Sequence, residues 1–222
     1  MASIMAKVTN FIDHDVSIRR GLTRGFINTR ALAKYLQKTL ELNVGLDAVI
    51  SAIRRYTATD EHKTEAKKRY HNIAAAKITS RTKMCSILLK KDAKARSGIA
   101  ALYAKIDFSK GDVLRTLESN QHIKMIIDES NLTLAQSLVG DHTLLIKKDL
   151  GEISLLYDDA DALPGTFAAV SSEIALNNIS LQDALICGAE HIIILHQDDV
   201  VRTVQVLDSI RTWAENTKQQ SY

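Results

Sequence analysis

The sequence predicts an α+β protein in which a helical domain precedes two small modules of strands and helices. Apolar residues recur at helical spacing along residues 1–58, as expected for a group of amphipathic helices. Residues 83–148 and 149–215 each show the order strand, helix, strand, strand, helix. Residues 59–82 form a basic, largely helical connector between these parts. We therefore expect a helical domain, a connector and two ferredoxin-like βαββαβ modules.

The second repeat contains a loop that is suited to binding an anion. Ile153, Leu155 and Tyr157 alternate with their neighbours along a predicted strand, and the loop that follows ends in Pro164 and Gly165. Proline suits the first turn of a helix, where a backbone N–H has no partner, and glycine allows a ligand to approach closely. Because free amides at a helix N-terminus attract anions, this loop is a candidate site for a carboxylate.

The strand, the loop with its Leu163-Pro164-Gly165 turn and the following helix together resemble the ACT domain, a regulatory module that binds amino acids at subunit interfaces. Residues 83–148 resemble a second copy, with KMCSILLKK as its first strand, SGIAALYAKI as its first helix and HTLLIKK, residues 142–148, as its closing strand, but without a Pro-Gly turn. Two such modules in tandem resemble the regulatory half of aspartate kinases. The resemblance implies sensing rather than catalysis, so we expect no enzymatic activity and no cofactor.

The resemblance also implies which residues bind the ligand. An amino acid or small carboxylate is expected to contact Asp161, Ala162, Leu163, Pro164, Gly165, Thr166, Asn177 and Ile179. Asn177 would also end a helix without any ligand. The acidic residues Asp158, Asp159 and Asp161 fit either the amino group of a ligand, a cation or a solvated loop.

The second repeat lacks a recognisable fourth strand, because residues 200–218 have the pattern of one long helix. The sequence leaves open what covers the edge of its sheet. A small module with an open strand edge favours pairing with another chain. We therefore expect a homodimer, formed by pairing of sheet edges or by packing of helices.

The N-terminal domain has helix-turn-helix character. Asn28 or Thr29 is placed to cap one helix, and a turn ending at Gly45 precedes the next. The residues predicted to lie opposite the apolar stripe of this second helix are Ala48, Ser51, Ala52 and Arg55. They fit a nucleic-acid groove and a plain exposed surface equally well. The segments RRGLTRGFINTRALAKYL and LDAVISAIRRY resemble those attached to ACT-like pairs in archaeal proteins.

Charge is divided unevenly along the chain. Residues 1–96 contain 20 of the 29 lysines and arginines but only 8 of the 26 acidic residues. A basic segment beside helix-turn-helix helices suggests contact with the phosphates of a nucleic acid. The side chains expected to make it are Arg54, Arg55, Lys63, Lys67 and Lys68. Contact with the acidic half of the same chain or of its dimer partner is the alternative.

Several classes of protein are excluded by what the sequence lacks. It has no run of 18 apolar residues, no secretory signal and no Walker A or GxGxxG loop. Cys85 and Cys187 are isolated, as in a protein of the reducing cytoplasm. His191 and His196 are five apart on a predicted strand, so they should face opposite sides and bind no common metal.

The leading hypothesis is a cytoplasmic transcriptional regulator, with no membrane association, whose ACT pair senses an amino acid and whose N-terminal domain binds DNA. The alternative is a non-enzymatic regulatory or scaffold subunit that docks on an enzyme without binding nucleic acid.

Overall fold

The computed structural model describes residues 3–57, 70–158 and 164–219 of the chain. These residues belong to two compact units, residues 1–68 and 69–222, and each is described by itself. The first unit is helical, whereas the second combines helices with a six-stranded antiparallel sheet. The predicted combination of helices with an antiparallel sheet is confirmed.

Local capping interactions fix where the helices of the first unit begin and end. Its described helices are α1 (Ile4–His14), α2 (Val16–Arg24), α3 (Thr29–Thr39) and α4 (Leu46–Thr57). Side-chain oxygens of Ser3, Asp15 and Asn28 accept hydrogen bonds from first-turn amides of α1, α2 and α3. Gly25 ends α2 in the left-handed conformation, with φ of 76°.

An aliphatic core joins all four of these helices, with Leu22 as the buried contribution of α2. It contains Val8 and Ile12 of α1, Leu32 and Leu36 of α3, and Val49 and Ile53 of α4. Ala52 also lies in this core, with 6% of its surface exposed. The prediction that Ala52 lies opposite the apolar stripe of α4 is therefore wrong. The residue follows Val49 by three positions, and this spacing brings it onto the same face of the helix.

The second unit alternates strands and helices. Its strands are β1 (Lys77–Lys90), β2 (Leu114–Glu118), β3 (His122–Asp128), β4 (Thr143–Leu156), β5 (Leu181–Cys187) and β6 (Glu190–His196). Residues 70–75 are helical, and the further helices are α5 (Ala93–Tyr103), α6 (Leu132–Val139), α7 (Thr166–Leu176) and α8 (Val200–Gln219). The strand order is β2-β3-β1-β4-β6-β5.

The two central strands, β1 and β4, are shared between two halves of the sheet. In the first half-sheet, β2 and β3 lie beside the second half of β1 and the first half of β4. In the second half-sheet, β5 and β6 lie beside the second half of β4 and the first half of β1. Residues 77–81, paired with residues 152–156, thus supply the fourth strand that the second repeat itself lacks.

Both shared strands differ from their predicted extents. The sequence pattern predicted separate strands at 142–148 and 152–157, whereas β4 runs without a break from Thr143 to Leu156. Likewise β1 begins at Lys77, well before the predicted start at Lys83. Polar residues interrupt the apolar alternation at both places, but pairing between the two strands keeps the backbone extended.

The sheet is folded over at the middle of these two strands. Lys83 and Asp149 have φ of 58° and 55°, and the register of β1 with β4 shifts between Arg81 and Met84. In a flat sheet of this order β2 and β4 would be about 14 Å apart. Arg115 on β2 nevertheless bonds Glu152 on β4, with an Nε–Oε2 distance of 2.6 Å. The half-sheets therefore pack face to face, joined by strands that bend at bulges.

The interior between the half-sheets is aliphatic with a few buried ion pairs. Met84, Ile126, Leu150, Ile192 and Ile194 are 0–3% exposed there. Helices α5 and α6 cover the outer face of the first half-sheet, and α7 and α8 cover that of the second. The result is a four-layer arrangement of helices, sheet, sheet and helices. Among the described helices, none combines the length and apolar character that a membrane crossing requires.

Candidate functional site

The start of α7 is the part of the predicted ligand site that the structure describes. Gly165 precedes the helix in the left-handed conformation, with φ of 81°, and no side chain among the described residues caps it. Pro164 and Gly165 are exposed, whereas Thr166 is buried. Pro164 was predicted in the first helical turn but lies before the helix, because Gly165 is not helical. Asp161, Ala162 and Leu163 lie outside the described residues.

Three neighbouring rings, those of Tyr157, His191 and Phe167, form an aromatic group, and Phe167 belongs to the first turn of α7. The Tyr157 hydroxyl and His191 Nδ1 are 3.1 Å apart, and the ring of Phe167 meets the His191 ring edge-on at a centroid distance of 5.7 Å. Burial lowers the pKa of His191 and raises the pKa of Tyr157. Both groups are therefore neutral at pH 7, and the layer beneath the candidate site is polar but uncharged.

Sequence reasoning treated His191 only as a possible metal ligand and missed this aromatic group. His191 is buried and His196 is exposed, as expected for an odd spacing along a strand. Pairing between two strands brings Tyr157 and His191 together, and local sequence patterns do not show this pairing. Leu155 is opposite His191, and the Tyr157 amide donates to the Ala189 carbonyl. Within the described residues, no group of three or more His, Cys, Asp or Glu side chains could hold a metal ion.

The other predicted ligand contacts lie at the far end of α7. The Asn177 side chain donates to the Glu173 carbonyl at 2.9 Å, and its own carbonyl accepts from Arg202. Ile179 is buried in the core of the second half-sheet, and β5 begins at Leu181 rather than at Ile179 as predicted. A helix of 11 residues is about 16 Å long, so within one chain these residues lie far from Gly165.

The corresponding helix of the first half-sheet, α5, is capped by a carboxylate of the chain itself. Asp92 Oδ1 accepts the amide of Ala95 at 2.8 Å, and Oδ2 lies 2.9 Å from His142 Nδ1. The hydrogen bond from the Ala95 amide is the main reason that the pKa of Asp92 is lowered. The amides at the start of α5 are thus satisfied by a carboxylate of the chain itself.

A small cavity lies near this helix, in the first half-sheet. It has a volume of about 160 Å³ and is lined by Arg96, Ile99, Thr116, Glu118 and Ile123. Arg96 holds the Glu118 carboxylate at 2.6 Å, and Lys91 lies 2.9 Å from it. These two partners, Arg96 first, lower the pKa of Glu118 to about 2. The charges at the cavity therefore neutralise each other, and sequence reasoning singled out none of these residues.

The predicted nucleic-acid contacts are only partly described. Arg54 and Arg55 are exposed in the last turn of α4, together with Ala48 and Ser51 earlier in the helix. Lys63, Lys67 and Lys68 lie outside the described residues, as do Asp159 and Asp161 of the acidic group. Asp158 is described and is exposed.

Comparisons with solved structures link this fold to aspartate kinases. The aspartate kinase of Clostridium acetobutylicum, described as an allosteric enzyme, has a TM-score of 0.51 and 9% identity, over 60% of this chain and 34% of the kinase. A chain of aspartokinase alpha and beta subunits has a TM-score of 0.50 and 10% identity, over 61% of this chain and 98% of that one. The regulatory subunit of aspartate kinase from Thermus thermophilus scores 0.47 at 9% identity, over 60% and 95% of the two chains.

No protein-family model and no curated protein matches the sequence. The chain spans about a third of the length of the Clostridium kinase that it resembles. At 9–10% identity the likeness is one of fold alone. The chain therefore has an ACT-like fold of the kind found in aspartate kinases.

Proposed function

We propose that this chain is a ligand-responsive regulatory protein whose second unit binds an amino acid or small carboxylate. The start of α7 carries the proposal, because the helix begins at Gly165, which is exposed, has a left-handed backbone and carries no side chain that would keep a ligand away from the helix end. Its amides and the positive end of the helix dipole favour a carboxylate. The similar Clostridium kinase is described as allosteric, which supports a sensing role for the two half-sheets as a pair of ACT modules.

The proposed pocket draws on two copies of the chain. Asp161, Ala162, Leu163, Pro164, Gly165 and Thr166 would hold the ligand in one copy, and Asn177 and Ile179 would complete the site from the other. One chain alone does not suffice, since the two groups are separated by the length of α7. Within the described parts of the chain, the outer edges of β2 and β5 have no neighbouring strand, and such edges favour pairing in a homodimer.

The proposed output is DNA binding by the first unit, through Arg54, Arg55, Lys63, Lys67 and Lys68. Regulation requires that the ligand bind one arrangement of the dimer more tightly than another. DNA affinity must then change when the ligand is added. The basic composition of residues 1–96 supports this output.

Docking on an enzyme is a second candidate function. It is favoured by the match to 98% of a chain from aspartokinase, because that chain is a subunit of an enzyme. In this version the first unit binds a catalytic subunit instead of DNA. The ligand site would be unchanged, and the partner recovered by the full-length protein distinguishes the two functions.

A thermal-shift screen of the full-length protein with the twenty amino acids tests the ligand site. A ligand present at one hundred times its Kd stabilises a protein by about 2.7 kcal/mol, which raises Tm by about 5–10 °C for a chain of this size. The variant Gly165→Asp places a carboxylate at the start of α7 and should remove this shift. Light scattering should show a dimer.

Gly111→Asp is the matched control for this variant. Gly111 also has a left-handed backbone, with φ of 84°, but it lies in the first half-sheet away from α7. It should lose a similar amount of stability and keep the ligand-induced shift. A screen without any stabilising amino acid, or an equal loss of the shift in both variants, would refute the proposed site.

A further inference from the structure

Three cations form a row along the exposed face of α3. Arg30, Lys34 and Lys38 follow one another at intervals of four residues, and all three are exposed. Each interval corresponds to a rise of about 6 Å along the helix. The row lies opposite the buried face of the helix, which contains Leu32 and Leu36.

This row carries uncompensated positive charge. Among the described residues, none of its three cations forms an ion pair within 4.0 Å, and α3 itself contains no acidic residue. Some cations of the second unit are paired instead, since Arg96, Arg115 and Lys124 each lie against a carboxylate. An unpaired row on a helix is what a polyanion would neutralise with release of its counterions.

The row is held on a rigid helix. The Asn28 side chain accepts the amides of Arg30 and Ala31, at 3.0 and 3.1 Å, and so fixes the start of α3. Near its other end, Gln37 Nε2 donates to the Val44 carbonyl at 2.7 Å. The cations therefore project from a backbone whose two ends are both anchored, and ordering it would cost little on binding.

The neighbouring helix α4 is less suited to phosphate contact along its length. It has Asp47 in its first turn and its cations, Arg54 and Arg55, only in its last turn. The carboxylate would repel a phosphate backbone laid along the exposed face. The sequence pattern favoured α4 as the helix that contacts DNA, but it is α3 that presents cations along its exposed face.

We propose that the face of α3 formed by Arg30, Lys34 and Lys38 binds the phosphate backbone of duplex DNA. This inference rests on the proposed DNA-binding function and adds the α3 surface to the cations proposed there. Single-stranded nucleic acid requires rows of exposed rings for base stacking. The exposed rings of the described first unit do not form one: Phe26 lies before α3, and Tyr35 packs edge-on against Phe11.

Fluorescence anisotropy of the full-length protein with a labelled DNA duplex, measured from 50 to 200 mM salt, tests the proposal. The variant Arg30→Gln/Lys34→Gln/Lys38→Gln removes the row and keeps residues that favour helix. Since each phosphate contact contributes about 0.9 to the log–log salt slope, the slope should fall by about 2–3. Affinity at 50 mM salt should fall at least tenfold.

The control variant Lys90→Gln/Lys94→Gln/Lys105→Gln removes the same charge from exposed positions of the second unit. It should bind DNA like the unaltered protein, and circular dichroism should show both triple variants folded. If the unaltered protein binds DNA and the α3 variant binds with the same slope, the α3 surface is wrong while DNA binding stands. If the unaltered protein ignores the duplex, or prefers an RNA duplex of the same sequence, DNA binding is itself refuted.

Discussion

The helices that follow the first strand of each half-sheet begin in opposite ways. Two residues join β1 to α5, and the second of these, Asp92, caps the helix with its own carboxylate. A longer loop joins β4 to α7, and the helix starts at left-handed Gly165 without a capping side chain among the described residues. Equivalent helices thus differ in how they begin: α5 is capped by a side-chain carboxylate, whereas α7 begins at a glycine with a left-handed backbone.

This difference shows that a repeated fold does not fix how its equivalent helices begin. Both helices present amides at the same point of a repeated architecture. In the first repeat the surrounding charges are also paired, because Asp92 lies against His142 and Glu118 against Arg96. The two repeats therefore differ at this point in one side chain, Asp92, and in one backbone conformation, that of Gly165.

The largest expected effect is a loss of stability when the ion pair between Arg115 and Glu152, which joins the two half-sheets, is broken. Arg115→Met leaves the Glu152 carboxylate, whose side chain is 3% exposed, with only Arg81 at 3.9 Å. An unpaired buried charge costs about 3–5 kcal/mol, so urea unfolding should show a loss of about 3 kcal/mol. The double variant Arg115→Met/Glu152→Met should recover most of it.

Lys110→Met is the matched control for this pair. It breaks an ion pair with Asp107 in which the side chains are 78% and 45% exposed. Exposed pairs contribute about 0–1 kcal/mol, so the change should be small. Equal losses for Arg115→Met and Lys110→Met would contradict the face-to-face packing of the half-sheets.

A smaller effect is expected at the cap of α5. Asp92→Ala removes the acceptor for the Ala95 amide and should lower the free energy of unfolding, whereas Asp92→Gly should lower it much less, because glycine is itself accepted at this capping position. Urea denaturation measures both. Asp141→Ala removes an exposed carboxylate of the same half-sheet and should have no such effect; a cost for Asp92→Ala no larger than this would show that the cap is unimportant.

The smallest effect is a difference in acid sensitivity between the two half-sheets. Burial lowers the pKa of His191 below its usual 6.5, so the unfolded chain takes up this proton first and stability falls as pH drops below 6.5. Arg96 and Lys91 lower the pKa of Glu118 from 4.5 to about 2, so its contribution is present above pH 4.5 and is lost toward pH 2.

Unfolding free energies measured between pH 2 and 8 separate these two contributions. His191→Phe should flatten the curve just below pH 6.5, and Glu118→Gln should flatten it between pH 4.5 and 2. A profile that neither variant alters would mean that these side chains have the same pKa values in the folded and the unfolded chain.

Features that depend on neighbouring residues could be predicted from the sequence. Asn28 caps α3, residues 200–218 fall in one helix, and the strands β2 and β3 pair, all as expected from local patterns. The turn before α7 was also recognisable, because proline fixes its own φ and glycine permits a left-handed backbone. The position of Gly165 just before α7 was predictable for this reason, whereas its contact with a ligand stays a prediction.

Features that depend on distant partners were decided by the tertiary structure. Lys83 carries no turn signal, and Asp149 alone does not distinguish a bend within one strand from a turn between two, so the shared strands and their face-to-face packing could not be foreseen. Residues 77–81 form a strand because residues 152–156 lie beside them, and Glu152 is buried because Arg115 reaches it. Capping is a local interaction, whereas strand pairing and the burial of charge join residues far apart in the chain, and only the folded protein brings them together.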